Sequence, residues 1–400
     1  MLFKVDPKSA KTMRSLGFGT TLTHQRDGMA RGSSALVLLG EENEHDMIIQ
    51  SESAAHYSFS KGSSKQQYPS SRMGAIALLR QTYNDGQWYT KNTDDRGYNI
   101  SLERWNALQK LPQFFEVSNR LDFLRADKIG DEFGIQYIMR GAGDEYLRLD
   151  AIKASNAAVV LPLAFPKAYD VSDPFDAEKV SLTQMKHWEL APGNPAALVK
   201  ANIPFALSTD ILKNKSSFWK MARIAFQHGL SEADLLRALT LTPAKLIKAD
   251  HLIGSLETGK IANFIITSDN ILKEKTVLFQ NWVKGKAHLI NDWSAAELLG
   301  EYDLKINNKT YLLKIKGQAS SPKMTLQLNP SDNSAEVKKL KYSYKNQNIV
   351  FSFSPDADSV EQKEMYRLSG TVAGQKWSGQ ATQSNGNWIQ WSANKIKNIE

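Results

Sequence analysis

Residues 203–210 read IPFALSTD, a short apolar run that passes directly into two hydroxyl residues and a carboxylate. The apolar part, Ile203 to Leu207, is typical of a buried strand. In a parallel α/β barrel the C-terminal end of each strand points into the site where chemistry occurs, so Asp210 is a candidate catalytic residue. The alternative is a helix N-cap, a position at which Asp is favoured.

The regions flanking this stretch alternate between apolar runs and segments of helical period, up to about residue 250. The candidate strands are GFGTTLTH (17–24), MIIQSESAAHYSF (47–59), FFEVS (114–118), IQYIMR (135–140), AAVVLPL (157–163) and IPFALSTD. Helical periods occupy a long segment that opens at Pro69, and residues 121–133, 144–155 and 194–202. This succession predicts βα units with a parallel sheet, as in a TIM-type barrel.

After residue 300 the hydrophobic pattern changes to period two. The segments are YDLKINNKTYLLKIKG (302–317), KMTLQLN (323–329), NIVFSFS (348–354), YRLSGTVAGQKWSGQATQ (366–383) and WIQWSANKI (388–396). Turn signals at 307–308, 331–333 and 385–387 separate them. We therefore predict a domain of residues 1–295 that contains the barrel, and an antiparallel β domain of residues 296–400.

The amino-acid composition excludes several classes of function. The 400 residues are 42% hydrophobic and 23% charged, which is an ordinary globular balance, and no apolar run is long enough to span a membrane. The chain has no cysteine, so disulfides, thiolate nucleophiles and Cys-ligated metals are excluded. The net charge is +8, but no block of like charges occurs, and we predict no binding to nucleic acid.

The basic excess lies mostly in the β domain. Residues 301–400 hold 14 Lys and Arg against 9 Asp and Glu, a surplus of 5 out of the net charge of 8. This pattern fits either a solvated sheet face or a ligand-binding face. Trp377, Trp388 and Trp391 would suit carbohydrate or lipid binding, or alternatively the filling of a sheet core.

Several motifs resemble the C-terminal part of the amidohydrolase superfamily, and in particular its imidazolonepropionase-like bacterial branch. They are IPFALSTD, ALTLTPAKLIKAD (238–250), IGSLETGKIANFIITSDN (253–270) and WVKGKAHLI (282–290). The segments YPSSRMGAIALLRQTY (68–83), FPKAYDVSDPFDAE (165–178) and MKHWELAPGNPAAL (185–198) further resemble a metal-poor module of long bacterial amidohydrolases. The resemblance covers roughly residues 10–295, and Asn263 departs from it where the family has Asp.

The resemblance refines the predicted fold. It implies an incomplete (β/α) TIM-type barrel, because the chain begins near the family's second barrel strand and has the character of an N-terminally truncated member. It also implies a partial flanking β-sheet at about residues 255–295, in which KIANFIITS and TVLFQNWVKGKAHLI pair and Gly285 marks a hairpin turn. The expected fold class is α/β, with this barrel and sheet followed by the separate antiparallel β domain.

The site residues implied by the resemblance are incomplete. Members of the superfamily hold a divalent metal with a His-x-His pair, a carboxylated Lys or Glu, two further histidines and an Asp, which Asp210 matches. This sequence has no His-x-His, and Glu116 and Arg140 stand where imidazoles are expected. The metal-ligand candidates are His24, His56, Glu116 and Asp210. The alternative is that they are hydrogen-bonded polar residues in a disused cavity.

Further candidates lie at the expected mouth of the barrel. His187 and Glu189 are expected on the loop after a late strand and, with Arg140, could line the substrate entrance. The alternative for His187 and Glu189 is that they pack and hydrogen-bond that loop around Trp188.

Two functional hypotheses follow. The first is metal-assisted hydrolysis of a cyclic amide or other C–N bond, in which Asp210 takes and returns the proton. The second is a non-catalytic barrel that binds a small-molecule ligand, or that scaffolds a second amidohydrolase module or a homo-oligomer. Zinc or another divalent metal is expected for the family, and we expect its binding here to be weak or absent. The N-terminus carries no signal peptide, although a full-length relative could be exported to the cell envelope.

Overall fold

The structure is a computed structural model that describes residues 3–92, 97–291, 294–318, 321–330, 337–356 and 364–398. The chain separates into two compact units. One comprises Met1–Ile265, Leu272–Glu274 and Asn281–His288, and the other comprises Ile266–Ile271, Lys275–Gln280 and Leu289–Glu400. The domain boundary expected at residue 295 stays a prediction, and the turn predicted at 331–333 lies outside the described residues.

The helices of the described residues all lie in the first unit, apart from one short 3-10 turn at Ser294–Leu298. The α-helices are α1 (Pro7–Ser15), α2 (Glu44–Met47), α3 (Arg72–Lys91), α4 (Ile100–Leu108), α5 (Arg120–Phe133), α6 (Leu149–Ala154), α7 (Pro174–Glu178), α8 (Leu182–Leu190), α9 (Asn194–Lys200), α10 (Phe218–Gln227), α11 (Glu232–Leu239) and α12 (Leu241–Leu246). Among these described helices, none combines the length and the apolar character needed to cross a bilayer.

Side-chain caps set the limits of the longer helices. The long helix predicted to open at Pro69 begins at Arg72, because the side chain of Ser71 accepts a hydrogen bond from the N–H of Gly74. Asn119 caps α5 in the same way, and Gly134 ends that helix in the left-handed conformation at φ 70°.

A seven-stranded sheet organises the first unit. Its strands are β1 (Thr20–Thr23), β2 (Ala30–Leu38), β3 (Ile48–Ser58), β4 (Gln113–Glu116), β5 (Tyr137–Arg140), β6 (Val159–Pro162) and β7 (Phe205–Ser208), in the spatial order β1-β2-β3-β4-β5-β6-β7. Strands β3 to β7 are parallel, whereas β2 is antiparallel to both neighbours. The sheet curls into a half-barrel with helices, which confirms the predicted α/β fold.

Away from the carboxyl ends of the strands, the inner face of this half-barrel is apolar. Alternation along each strand places Leu36, Ala54, Phe114 and their neighbours on one face, where they pack against α12 and the segment that follows it up to Ile253. The alternate positions of these strands face the other side of the sheet. They hold residues such as Phe115, Tyr137 and Met139, which are fully buried. Both faces are therefore covered, as expected for parallel strands.

A three-stranded sheet follows in the chain. Its strands are β8 (Phe264–Thr267), β9 (Leu278–Val283) and β10 (Lys286–Leu289), in the order β10-β9-β8. Lys284 and Gly285 form the turn between β9 and β10, and both have positive φ, a conformation that glycine adopts readily. The predicted partial flanking sheet and its hairpin are confirmed.

The second unit contains a nine-stranded antiparallel sheet. Its strands are β11 (Gly300–Ile306), β12 (Lys309–Gln318), β13 (Ser321–Gln327), β14 (Val337–Leu340), β15 (Tyr342–Lys345), β16 (Asn348–Phe353), β17 (Tyr366–Ala373), β18 (Lys376–Thr382) and β19 (Trp388–Lys397). The spatial order is β14-β13-β12-β11-β19-β18-β17-β16-β15. Inward residues at every second position form one apolar core.

The three candidate tryptophans of this unit divide between core and surface. Trp377 is 1% exposed and Trp391 is 2% exposed, so both fill the sheet core. The ring of Trp391 packs against Gly370, where a Cβ would lie 2.5 Å from Cζ2, and Gly379 is its register partner on β18. Trp388, by contrast, is 65% exposed.

Candidate functional site

The parallel strands place their C-terminal ends at one edge of the seven-stranded sheet. Strand β1 runs in the same direction as β3, because both pair antiparallel with β2. His24 follows β1, Glu116 ends β4, Arg140 ends β5, and Asp210 lies two residues beyond β7. The structure thus brings these four candidates to the same edge of the sheet.

Glu116 and Arg140 face each other at this edge. They are register partners on neighbouring parallel strands, so both side chains point to the inner face. Arg140 Nη2 lies 2.7 Å from Glu116 Oε1. The Arg140 side chain is 16% exposed and that of Glu116 is 22% exposed, so water shields this ion pair only slightly.

The second oxygen of Glu116 is bound by Arg31, a residue that the sequence interpretation did not single out. Arg31 lies at the start of β2, whose reversed direction brings it to the edge where the parallel strands end. Its Nη1 donates to Glu116 Oε2 at 2.6 Å, and its side chain is almost fully buried. Both carboxylate oxygens of Glu116 therefore contact guanidinium groups.

Asp210 is also bound from two sides. Arg26 Nη2 donates to Asp210 Oδ1 at 2.6 Å, and Arg140 Nε lies 3.3 Å from Oδ2. The N–H of Ile211 donates to Oδ1 at 2.9 Å. The helix-cap alternative is wrong, because the next helical turn begins at Lys215 after Asn214, whose side chain caps it.

These contacts form one strand-end network, which we define as Arg26, Arg31, Glu116, Arg140 and Asp210. Arg140 is its centre, because it is the residue that contacts both carboxylates. With three guanidinium groups and two carboxylates, the network carries a formal charge of +1.

Electrostatics keeps both carboxylates ionised. Burial opposes ionisation of Glu116, but the guanidinium groups of Arg140 and Arg31 outweigh it and lower the pKa of that carboxyl. Burial likewise opposes ionisation of Asp210, and hydrogen bonding from Arg26 with the charge of Arg140 lowers its pKa. Neither group is poised near neutral pH, where a general base works best.

The two candidate histidines stack beside the network. The rings of His24 and His56 lie 3.9 Å apart with an interplanar angle of 15°. Burial lowers the pKa of both imidazoles, and the nearby arginines add to the effect. His56 Nε2 is buried without a hydrogen-bond partner among the described residues. Both histidines are therefore neutral at pH 7.

The remaining mouth candidates lie elsewhere. His187 and Glu189 belong to helix α8 and not to a loop, which corrects the sequence interpretation. His187 Nδ1 is 3.0 Å from the hydroxyl of Tyr146, and the two rings stack. Glu189 is exposed, as is much of Trp188. Of the three mouth candidates, Arg140 is the one that the described contacts join to the network.

One segment of the chain matches the model of a known protein family. Residues 193–298 match the model of the amidohydrolase family. The resemblance to amidohydrolases is confirmed over this segment. The imidazolonepropionase-like branch stays a prediction, and a search of curated proteins found no match.

One solved structure supports the same fold, and two others are less similar. An amidohydrolase from Thermotoga maritima has a TM-score of 0.58 and 20% identity, with 70% of this chain and 75% of that chain covered. A second amidohydrolase is 14% identical over 56% of this chain and 62% of its own, with a TM-score of 0.37. Molinate hydrolase is 12% identical over 53% and 54%, with a TM-score of 0.34. At 20% identity, the likeness to the Thermotoga maritima amidohydrolase shows the fold alone.

Amidohydrolases generally use a divalent metal, but the residues at this edge do not fit one. Within the described part of the chain, no three or more His, Asp or Glu side chains are arranged to hold an ion. Guanidinium groups contact the oxygens of both carboxylates, and nearly parallel stacked imidazoles do not converge on one point. Arg140 also fixes a positive charge where a cation would have to lie.

Proposed function

We propose that this chain is an amidohydrolase-like barrel module that does not hydrolyse substrates by itself. Its strand-end site is built from ion pairs instead of metal ligands. The module would bind a ligand, or would scaffold a second, catalytically equipped amidohydrolase module. The observation that carries this proposal is the position of Arg140, which contacts both Glu116 and Asp210.

The physical reason is competition for the same lone pairs. A metal site in this fold needs deprotonated ligands whose free lone pairs point at one open position. The oxygens of Glu116 and Asp210 lie instead 2.6–3.3 Å from the guanidinium nitrogens of three arginines, which remain charged at all accessible pH values. A divalent ion would have to displace these groups and then remain beside them.

A second candidate function is metal-assisted hydrolysis of a C–N bond, favoured by the family match over residues 193–298. It requires that the network open, so that Asp210 becomes free to accept a proton. The first candidate function predicts little bound metal and no turnover, whereas the second predicts a bound metal and turnover.

The test is metal analysis of the purified chain, followed by zinc titration of wild type and the double variant Glu116→His/Arg140→His. We expect little zinc in the wild type. The double variant removes the central cation and adds two imidazoles beside Asp210, so we expect zinc binding to appear in titration calorimetry. A matched control, Glu132→His/Arg80→His, makes the same replacement in an exposed ion pair and should bind no more zinc than wild type.

Two outcomes would contradict the proposal. Stoichiometric zinc in the wild type, with hydrolysis of a cyclic amide that is lost in Asp210→Asn, would establish the second candidate. Failure of the folded double variant to bind more zinc than its control would show that the ion pairs are not what hinders a metal. Circular dichroism of each variant checks that it is folded.

A further inference from the structure

We infer that the outer face of strands β16 to β19 is a binding surface for neutral oligosaccharides. All of its residues lie in the second compact unit, so this inference goes beyond the proposed function and does not rest on it. It depends on three observations: an array of outward side chains from four neighbouring strands, the presence of one charged residue among its twelve, and an exposed tryptophan.

The register of the sheet defines the array. Outward residues of neighbouring strands fall into three rows, because the paired positions alternate with buried core positions. We call this array the polar platform, and its rows are Ser352-Arg367-Thr382-Trp388, Val350-Ser369-Gln380-Gln390 and Asn348-Thr371-Ser378-Ser392. Four strands spaced about 4.8 Å apart make it roughly 14 Å wide, which accommodates a short oligosaccharide.

The platform is polar but nearly uncharged. Of its twelve residues, Arg367 is the charged one, and nine carry a hydroxyl or a carboxamide. The outward residues of β11 to β14 are different, since Glu301, Lys316, Lys323 and Lys339 lie on that part of the same sheet. The exposed Lys345 and Lys376 border the third row, beside Asn348 and Ser378, whereas Trp388, Gln380 and Gln390 lie in the two rows farther from these charges.

Trp388 provides the apolar element of the platform. It lies in the first row opposite Thr382, at the start of β19, and is 65% exposed, whereas Trp377 and Trp391 are buried. One face of a sugar ring presents C–H groups, and these are attracted to the negative face of an indole. A wide aromatic face held on a strand can bind a sugar without prior rearrangement.

The central row supplies matching hydrogen-bond groups. Gln380 and Gln390 are register partners, and both are exposed. A carboxamide both donates and accepts, as a sugar hydroxyl does, so one residue can bind two adjacent hydroxyls. Ser369 extends the row on one side. A surface of this chemistry suits a neutral glycan better than an anionic lipid or nucleic acid, which would need clustered cations.

The test uses the full-length chain with cellohexaose, chitohexaose and mannohexaose as probes in titration calorimetry. We expect at least one probe to bind with little dependence on salt. Trp388→Ala should weaken that binding by about tenfold or more, because it removes the aromatic face on which the sugar ring stacks. Gln390→Ala should weaken it as well.

The matched control is Ile396→Ala, which removes an exposed apolar side chain from the same strand outside the platform. Its affinity should equal that of wild type. No binding by any of the three probes at millimolar concentration would overturn the inference. So would binding that Trp388→Ala leaves unchanged, or binding abolished by high salt, which would place the contact on lysine side chains and not on Trp388 and the glutamines. Thermal unfolding of each variant verifies that it is folded.

Discussion

Removal of the Arg140 guanidinium is the most direct perturbation of the strand-end network. Arg140→Met keeps most of the apolar stem but leaves Glu116 and Asp210 without their shared cation. Each carboxylate retains one partner, Arg31 on Glu116 and Arg26 on Asp210. We expect the free energy of unfolding to fall, because two largely buried negative charges lose compensation in the same variant.

The size of the effect follows from burial. Removal of one partner from a fully buried ion pair costs about 3–5 kcal/mol. Here the Glu116 and Asp210 side chains are 22% and 19% exposed, and each keeps one arginine, so we expect about 2 kcal/mol. For a unit of this size that loss lowers the unfolding midpoint by roughly 3–4 °C.

The pH dependence of the unfolding free energy provides a more specific test of this prediction. The network lowers the pKa of both carboxyls, so its stabilisation is present above their unfolded values, about 3.9 for Asp and 4.3 for Glu. It is lost as the pH falls through the still lower folded values. The difference between wild type and Arg140→Met should therefore be largest near pH 7 and should shrink below about pH 4.

Denaturant unfolding, followed by circular dichroism at several pH values, measures this difference. Arg80→Met is the control, because Arg80 forms an exposed ion pair with Glu132 that should contribute at most about 0.5 kcal/mol. The reasoning is refuted if Arg140→Met is as stable as Arg80→Met at pH 7, or if its deficit persists unchanged at pH 3.

Two further predictions concern helix α5. Burial and the neighbouring Asp131 carboxylate raise the pKa of Asp127 to about 6, so this group destabilises the fold as the pH rises from about 4 to 6. Because Asp127 is partly exposed, Asp127→Asn should raise the unfolding free energy by at most about 1 kcal/mol at pH 8 and by little at pH 4. Equal effects at both pH values would contradict this prediction. In Gly130→Ala the new Cβ would lie 2.4 Å from the carbonyl oxygen of Ile135. We therefore expect the free energy of unfolding, measured with denaturant, to fall by about 1–3 kcal/mol. An increase would show that the higher helix propensity of alanine dominates.

The sequence predicts the parallel strands well, because each is an apolar run that ends in a polar residue or turn. IPFALSTD forms β7 over Phe205–Ser208, and FFEVS and IQYIMR contain the carboxyl ends of β4 and β5. Strand β2 was not predicted, although ALVLL within residues 35–39 is a continuous buried run. Gly28, which precedes the strand, and Gly32, which lies within it, have positive φ and obscure its start.

The failure to predict β2 explains why the candidate site was incomplete. Arg26 precedes β2 and Arg31 begins it, so neither residue could be placed at the strand ends without that strand. Metal ligands are imidazoles and carboxylates, so a search of the sequence for such ligands does not identify arginines. The signal that could have revealed the network is Arg140 itself, since a cation at a strand end requires an anion nearby.

The same requirement explains how two carboxylates can persist at the strand ends without a metal. Buried carboxylates need positive charge close by, which a divalent ion would supply in a metal-dependent relative. In this chain Arg26, Arg31 and Arg140 supply it through contacts of 2.6–3.3 Å, and their three charges exceed those of the two acids. Each of Glu116 and Asp210 is the counter-ion of two arginines, which is what the proposed non-catalytic function requires. A strand-end acid in an amidohydrolase-like fold is therefore evidence for chemistry only after its nearest cation has been identified.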